Sequence, residues 1–583
     1  MTKLKKIVKL LESNKIPLLV FFGSLFILIS FAGTRMFFSD EGVILNQFYN
    51  LVHGSLALTI AKINMTKGVF VLVDNNLYGK FSYSLLILSL PVYYILKLID
   101  FFIGAHFFIL QLWALSGGII VYLATKSLKL KHTPLSGMAA YFILAVTSLY
   151  FFKPIYFPVW GELLSIEFVN ILIASFSVLI IYLLFKSFFG NKIAIFASFF
   201  VLFATPISFY AITLKHHMLA VFLTVLAFYL FYKYQDKKND KYIYSAYALA
   251  GLCVWTRILD GTVLLASLLI VDIFIFKRSI KYLLSISVVI LISLMPFFIF
   301  NYLILGSPFS VMETYPLSNK AVMLVNDKNI IPLNVNPVYV KKQLELLDNL
   351  GYSWNPEVRT DWVNILFDIT FLKLGNTLGI FLVSPFLITA LAFAVYRAKW
   401  KIKLNTVDKF LGIYTILFVL SLKDYIPSIV TDTPVVLEYR YLLIIYLIML
   451  YFALRINKVR DLIECNFKEI AQLYCSILLI FLIYFILEFP APFMNIYYFI
   501  ALITSISLII TVLINLLTTN KKPGVLLLDK SITFIIALSL AEASILLLFY
   551  YWVSNMIYIS PSQNYTIVPF MENMIKWMYQ IIL

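Results

Sequence analysis

Several apolar runs in this chain reach or exceed the roughly 18 residues that suggest a membrane-crossing helix. They recur along nearly the whole sequence, so the chain is built to sit in lipid. Composition agrees, because 62% of the 583 residues are hydrophobic and 13% charged, against about 45–50% and about 25% in soluble domains. A disordered chain and a single soluble globule are excluded. Lipid offers no hydrogen bonds, so backbone groups must be satisfied within the fold. The expected class is all-α, a polytopic bundle of membrane helices.

The formal charge is +17, from 46 Lys and Arg against 29 Asp and Glu. In a soluble protein that excess points to nucleic acid. In a membrane protein basic residues mark cytoplasmic loops, so no nucleic-acid partner is expected. Three cysteines give no disulfide framework. The first apolar run, Ile16 to Phe38, exceeds a signal h-region of about 7–15 residues. It follows Lys3, Lys5, Lys6, Lys9 and Lys15. It reads as an uncleaved anchor with a cytoplasmic N-terminus, in a cell membrane or endomembrane.

Topology follows from alternating the spans against the basic loops. The parity works if Phe81–Ile103 does not cross but lies at the outer surface, and Pro91, Lys97 and Asp100 fit that. The next span is roughly His106–Ala124. Further spans fall near 135–152, 162–185, 193–213, 217–234, 242–257, 260–276, 281–302, 374–396, 407–423, 435–454, 470–488, 494–516 and 531–553. The expected total is about 13–15. The loops 233–241, 277–281, 397–403, 455–460 and 521–524 are then inside, and the sequons at Asn64 and Asn564 outside. Three stretches result: a module over 1–302 with an outer loop at 39–105, an outer loop over 303–373 with a surface helix at Val338–Leu350, and C-terminal helices with an outer tail over 374–583. The short inner loops leave no room for a nucleotide-binding domain, and no phosphate-cradling glycine loop is present.

The polar residues that remain carry the functional signal. In FFSDEGVILNQFYNLVHG (37–54), Asp40 and Glu41 stand where the first span meets the outer surface. Ile44, Phe48, Leu51 and Val52 follow with helical spacing, which predicts an interfacial helix. The simplest local role for the carboxylates is a helix cap, with Ser39 or Asp40 at the N-cap. Arg257 near Asp260, and Arg440 near Glu438, stand in outer span ends. Intramembrane charges are costly and are functional candidates, although pairing within each couple is an equally good account. Lys80, Glu162, Glu167 and the adjacent His216 and His217 complete the outer set. Two histidines bind a metal only if a third ligand converges. Lining water or head groups is the plainer reading.

The first half of the chain resembles the GT-C superfamily of membrane glycosyltransferases, most closely the branch of protein O-mannosyltransferases and aminoarabinose transferases. The resemblance rests on the acidic pair Asp40-Glu41, the amphipathic helix after it, and the turn Tyr78-Gly79-Lys80-Phe81-Ser82-Tyr83, where the family's usual proline pair is absent. AGLCVWTRILDG (250–261), NYLILGSPFSVMETY (301–315), VSPFLITAL (383–391) and LEYRYLLIIYLIML (437–450) resemble further family segments in the same order. The resemblance implies outer juxtamembrane helices and a polyprenyl- or dolichyl-phosphate-linked sugar as donor. It implies a glycan, lipid or protein acceptor and no cofactor, with a divalent metal left open. It implies Asp40 as the base, with Glu41 secondary. Arg257, Arg440, Lys80, His216 and His217 would meet the lipid phosphate, and Tyr78, Glu162 and Glu438 would line the pocket. The chemistry is self-consistent: a phosphate is already a good leaving group, so one base suffices, unlike the carboxyl pair of glycoside hydrolysis. The alternatives are a transporter or flippase of lipid-linked saccharides, and a non-enzymatic membrane scaffold. Internal repeats that mark many transporters are not visible.

Overall fold

The computed structural model describes residues 15–34, 36, 40–63, 69–312, 315, 325–331, 367, 370–371, 373–374, 377–422, 439–487, 491–518, 523–557, 566–569 and 571. Ser39, Asn64, the 338–350 helix, Glu438 and Asn564 lie outside them, as does the side chain of Arg440. Among the described residues ten helices are long and apolar enough to cross a membrane, and Lys15–Phe31, Asn191–Phe203 and Leu443–Leu454 are shorter apolar helices. The protein is a multi-pass bundle of helices, as its apolar runs require.

Two expected spans are broken, both by proline. The run at 193–213 ends as a helix at Phe203, and a short helix Ile207–Ala211 follows Pro206. The run at 374–396 splits into Ile380–Val383, a 3-10 segment Pro385–Leu391 and Ala392–Trp400. Proline lacks an N–H and pushes the preceding residue out of the helical region, and Ser384 accordingly sits at φ −137°. The Ser384 hydroxyl donates to the Ala204 carbonyl, so the two breaks meet.

Ser84–Ile103 is one continuous helix, long and apolar enough to cross by length and composition. Its contacts show its course. Just before it, Ser82 donates to the Trp255 carbonyl, near the end of Asp240–Thr256. At its middle, Tyr93 donates to Glu162 in the first turns of Phe157–Phe189. Just beyond it, His106 meets Ile155, ahead of that same helix. Start, middle and finish all meet one end of the bundle, so this helix runs across that end. At the opposite end of these helices stand the basic residues Lys237, which ends His217–Lys237, and Arg278, in the loop after Val271–Ile275.

The helix Glu41–Val52 is not half-wet as its periodicity suggests, because every residue from Glu41 to Asn50 is buried. Its polar side chains satisfy strand edges instead. Asn46 Oδ1 accepts from the N–H groups of Lys62 and Ile63 at 2.8 and 3.0 Å. Asn50 accepts from Ile60 at 3.2 Å, and Gln47 donates to the carbonyls of Gly79 and Phe81 at 3.1 and 3.0 Å. Strand Phe70–Val73 pairs antiparallel with Asn76–Gly79 through a tight turn in which Asp74 and Asn75 take φ of 46° and 65°. Asp and Asn tolerate that left-handed region, which two-residue hairpins need. Strand Ile60–Ile63 pairs in parallel with Val325–Ile331, joining the segment 39–105 to the segment 303–373.

Candidate active site

Asp40 occupies the N-cap position of Glu41–Val52 but makes no side-chain capping bond. Its carboxylate pairs instead with the Lys215 ammonium, on a lysine only 1% exposed. The segment bearing that lysine is clamped from two sides. Asn170 donates to the Thr213 and Lys215 carbonyls at 2.7 and 2.9 Å. Glu41 accepts from the Leu214 N–H at 3.0 Å. The acidic pair is thereby divided: Glu41 is fully buried and binds backbone, while Asp40 keeps 17% of its side chain open.

From Lys215 the contacts run on without a gap. Its ammonium lies 5.2 Å from the centre of the Phe81 ring. Phe81 stands 6.1 Å from the His216 ring, and His216 stands 5.1 Å from His217. The buried His217 ring is 5.8 Å from the Tyr441 ring, and the Arg257 guanidinium lies 5.0 Å from the centre of that same ring. Arg257 sits in extended backbone between Asp240–Thr256 and Ile258–Ile270, and pairs with Asp260 at 2.7 Å. Asp40 and Arg257 thus belong to one constellation at one end of the bundle, and the Arg257–Asp260 pairing expected as an alternative is present as well. Arg440 adjoins Tyr441 in the 3-10 segment Tyr439–Leu442.

Lys80 reaches across to the Tyr315 carbonyl at 3.2 Å, tying the turn to the segment 303–373. Tyr78 is buried on strand Asn76–Gly79 opposite Val71. Next to that turn the Tyr83 hydroxyl donates to the Leu56 carbonyl at 2.7 Å, and burial pushes its phenol well above the usual range. Glu162 belongs to a separate buried cluster. It pairs with Lys62 at 3.4 Å and accepts from Tyr93, and Lys62 also donates to the Pro158 carbonyl at 2.7 Å. Glu167 accepts from the Gly33 N–H at 3.0 Å. Among the described residues no group of three or more His, Cys, Asp and Glu is placed to hold a metal.

Lys215, Asn170 and Tyr441 were not singled out in the sequence. Lys215 carried a usable signal, since a lysine beside two histidines at the start of an apolar helix is costly to bury. An asparagine mid-helix and a tyrosine beside Arg440 carried none.

An apolar cavity of about 220 Å³ lies beside this end, lined by Ile27, Phe31, Phe209, Ile212, Leu478 and Tyr551 among others. Ile212 is one residue before the clamped segment.

A carboxylate, buried cations and an apolar cavity are thus gathered toward one end of a multi-pass helical bundle. Residues 159–300 match the family described as dolichyl-phosphate-mannose-protein mannosyltransferase. That match agrees with the resemblance to GT-C membrane glycosyltransferases read from the sequence. The matched segment carries Glu162, His216, His217 and Arg257, and Asp40 precedes it. Among solved structures the chain is similar to the crystal structure of ArnT from Cupriavidus metallidurans bound to undecaprenyl phosphate. The identity is 13% and the TM-score 0.40, over 94% of this chain and 78% of that one. No curated protein matches the sequence.

Proposed function

We propose that the protein is an inverting glycosyltransferase that moves a sugar from a polyprenyl or dolichyl phosphate to an acceptor hydroxyl at the outer face. The observation that carries this reading is the Asp40–Lys215 pair, joined by continuous contacts to Arg257. The family description favours a lipid-phosphate hexose such as mannose as donor. A glycan, lipid or protein supplies the hydroxyl.

The Lys215 ammonium orients the Asp40 carboxylate, which takes up the acceptor proton. As the acceptor oxygen bonds to the anomeric carbon, its proton passes to Asp40. The bond from that carbon to the phosphate oxygen breaks, and its electron pair leaves with the lipid phosphate. Attack opposite the leaving group inverts the configuration. Negative charge grows on the phosphate, where Arg257 and Lys80 stabilise it most at the transition state. The apolar cavity beside Ile212 takes the start of the lipid chain. No metal is required in this scheme, because cationic side chains meet the leaving group.

The test is transfer from polyprenyl phosphate mannose by the purified protein in liposomes. Asp40→Asn should lower the rate by about 10²–10⁴-fold, the range of a positioned base, while still binding the lipid phosphate. A correctly inserted Asp40→Asn that works at the wild-type rate would remove the base assignment.

A further inference from the structure

We propose that the C-terminal segment at Thr566–Val568, latched by His106, is a brace that positions the reaction site; this rests on the reading of Asp40 as the base. Thr566 forms an antiparallel bridge with Gly33, and the Ile567 N–H donates to the Ala32 carbonyl at 2.9 Å. The end of the chain therefore pairs with the exit of the first helix, seven residues before Asp40. Tyr551 adds a hydroxyl bond to the Phe31 carbonyl at 2.9 Å. All of Ala32–Thr34 and Thr566–Pro569 is buried.

His106 closes the arrangement from the side. It is 3% exposed and stacks on Phe152 with ring centres 4.9 Å apart. Its Nε2 lies 2.8 Å from the Ile567 carbonyl oxygen, which can only accept, so Nε2 carries the proton. Its Nδ1 lies 3.2 Å from the Ile155 N–H, which can only donate, so Nδ1 is bare. Both bonds need the same neutral tautomer. The ring thereby joins the C-terminal segment to the residue just ahead of Phe157–Phe189.

That helix carries the rest of the path. Its Glu167 accepts from the Gly33 N–H, and Asn170, one turn on, holds the carbonyls around Lys215. The brace thus fixes the chain leading into Asp40 and the helix that sets its cationic partner. His106 and Thr566–Val568 do not line the cavity assigned to the lipid chain, so they are positioning residues. A displacement of about 1 Å at a reacting group can cost about 10²-fold in rate, so a support at this remove matters.

The experiment uses the full-length protein in liposomes. His106→Ala should lower kcat about tenfold or more with lipid-phosphate binding and donor KM within twofold of wild type. His106→Gln should restore most of the rate, because its amide offers an N–H and a carbonyl at similar spacing. Independently of catalysis, Gly33→Cys with Thr566→Cys should cross-link under mild oxidation, since bridged Cα atoms lie about 4.5–5.5 Å apart, within disulfide reach. A cross-linked protein that keeps its activity supports the brace. A pair that does not cross-link, or a His106→Ala protein at the wild-type kcat, overturns it. If the wild type transfers no sugar, the functional reading fails instead, and the cross-link still decides whether the brace exists.

Discussion

Glu41 accepts a hydrogen bond from the Leu214 N–H at 3.0 Å across 173 positions of sequence, while its neighbour Asp40 pairs with Lys215 one residue further on. Two adjacent carboxylates thus grip one short segment in different ways. The buried one fixes its backbone, and the more open one meets its charge. Adjacent side chains on a helix point apart, which is why one acidic pair can do both.

This division separates the two residues experimentally. Glu41→Gln keeps an acceptor for the Leu214 N–H and should retain most of the transfer rate. Glu41→Ala leaves that buried N–H without its acceptor, a cost of about 1–3 kcal/mol, visible as a lowered unfolding temperature. If Glu41→Gln abolishes transfer while Asp40→Asn keeps it, Glu41 and not Asp40 is the reacting carboxylate.

Lys215→Met should keep the fold and lower kcat by at least about tenfold, because Asp40 loses the charge that holds its carboxylate in place. The measurement is steady-state transfer with the lipid-linked donor varied. A rise in donor KM with kcat unchanged would instead make Lys215 a phosphate ligand.

Arg257 has a structural partner in Asp260 and a place in the site, and the two can be told apart. Arg257→Ala strands a buried carboxylate, costing about 3–5 kcal/mol, and should raise donor KM about tenfold. Replacing both partners, Arg257→Met with Asp260→Asn, should recover stability but not the donor KM. Recovery of both would leave the pair with a purely structural role.

Metal independence is checked by chelation. Transfer measured in EDTA should stay within about twofold of the untreated rate, since the developing phosphate charge is assigned to side chains. Loss of activity that magnesium or manganese restores would show that a divalent ion meets the phosphate.

Orientation is open to a thiol test. Cys465 is exposed as the last residue of the helix Asn457–Cys465, which begins within the basic segment 455–460, whereas Cys253 is buried. A membrane-impermeant maleimide added to intact cells should leave Cys465 unlabelled until the membrane is permeabilised. Labelling from outside would place the basic loops, and not the site, at the outer face.

The spans were legible because about 18 apolar residues in a row have few other uses. Legibility failed where a single residue outweighs the run, as Pro206 and Pro385 do in cutting two apolar stretches into short pieces. At the site, Asp40 stood out by its local setting, but its partner did not. Nothing in a sequence window links position 40 to position 215. The polar face of Glu41–Val52 misled for a related reason. Asn46, Gln47 and Asn50 look the same whether they meet water or the open edge of a strand. Helical periodicity records that a face is polar and not what lies opposite it.

The parallel pairing of Ile60–Ile63 with Val325–Ile331 bears on how such a site can diversify. A parallel pair cannot be made by a local hairpin, and here its strands come from segments on either side of the matched stretch 159–300. This strand pair is one object in space and two in the gene. A chimaera that exchanges only one of these segments would carry a strand without its mate, so recombination or design aimed at a new acceptor has to move both together.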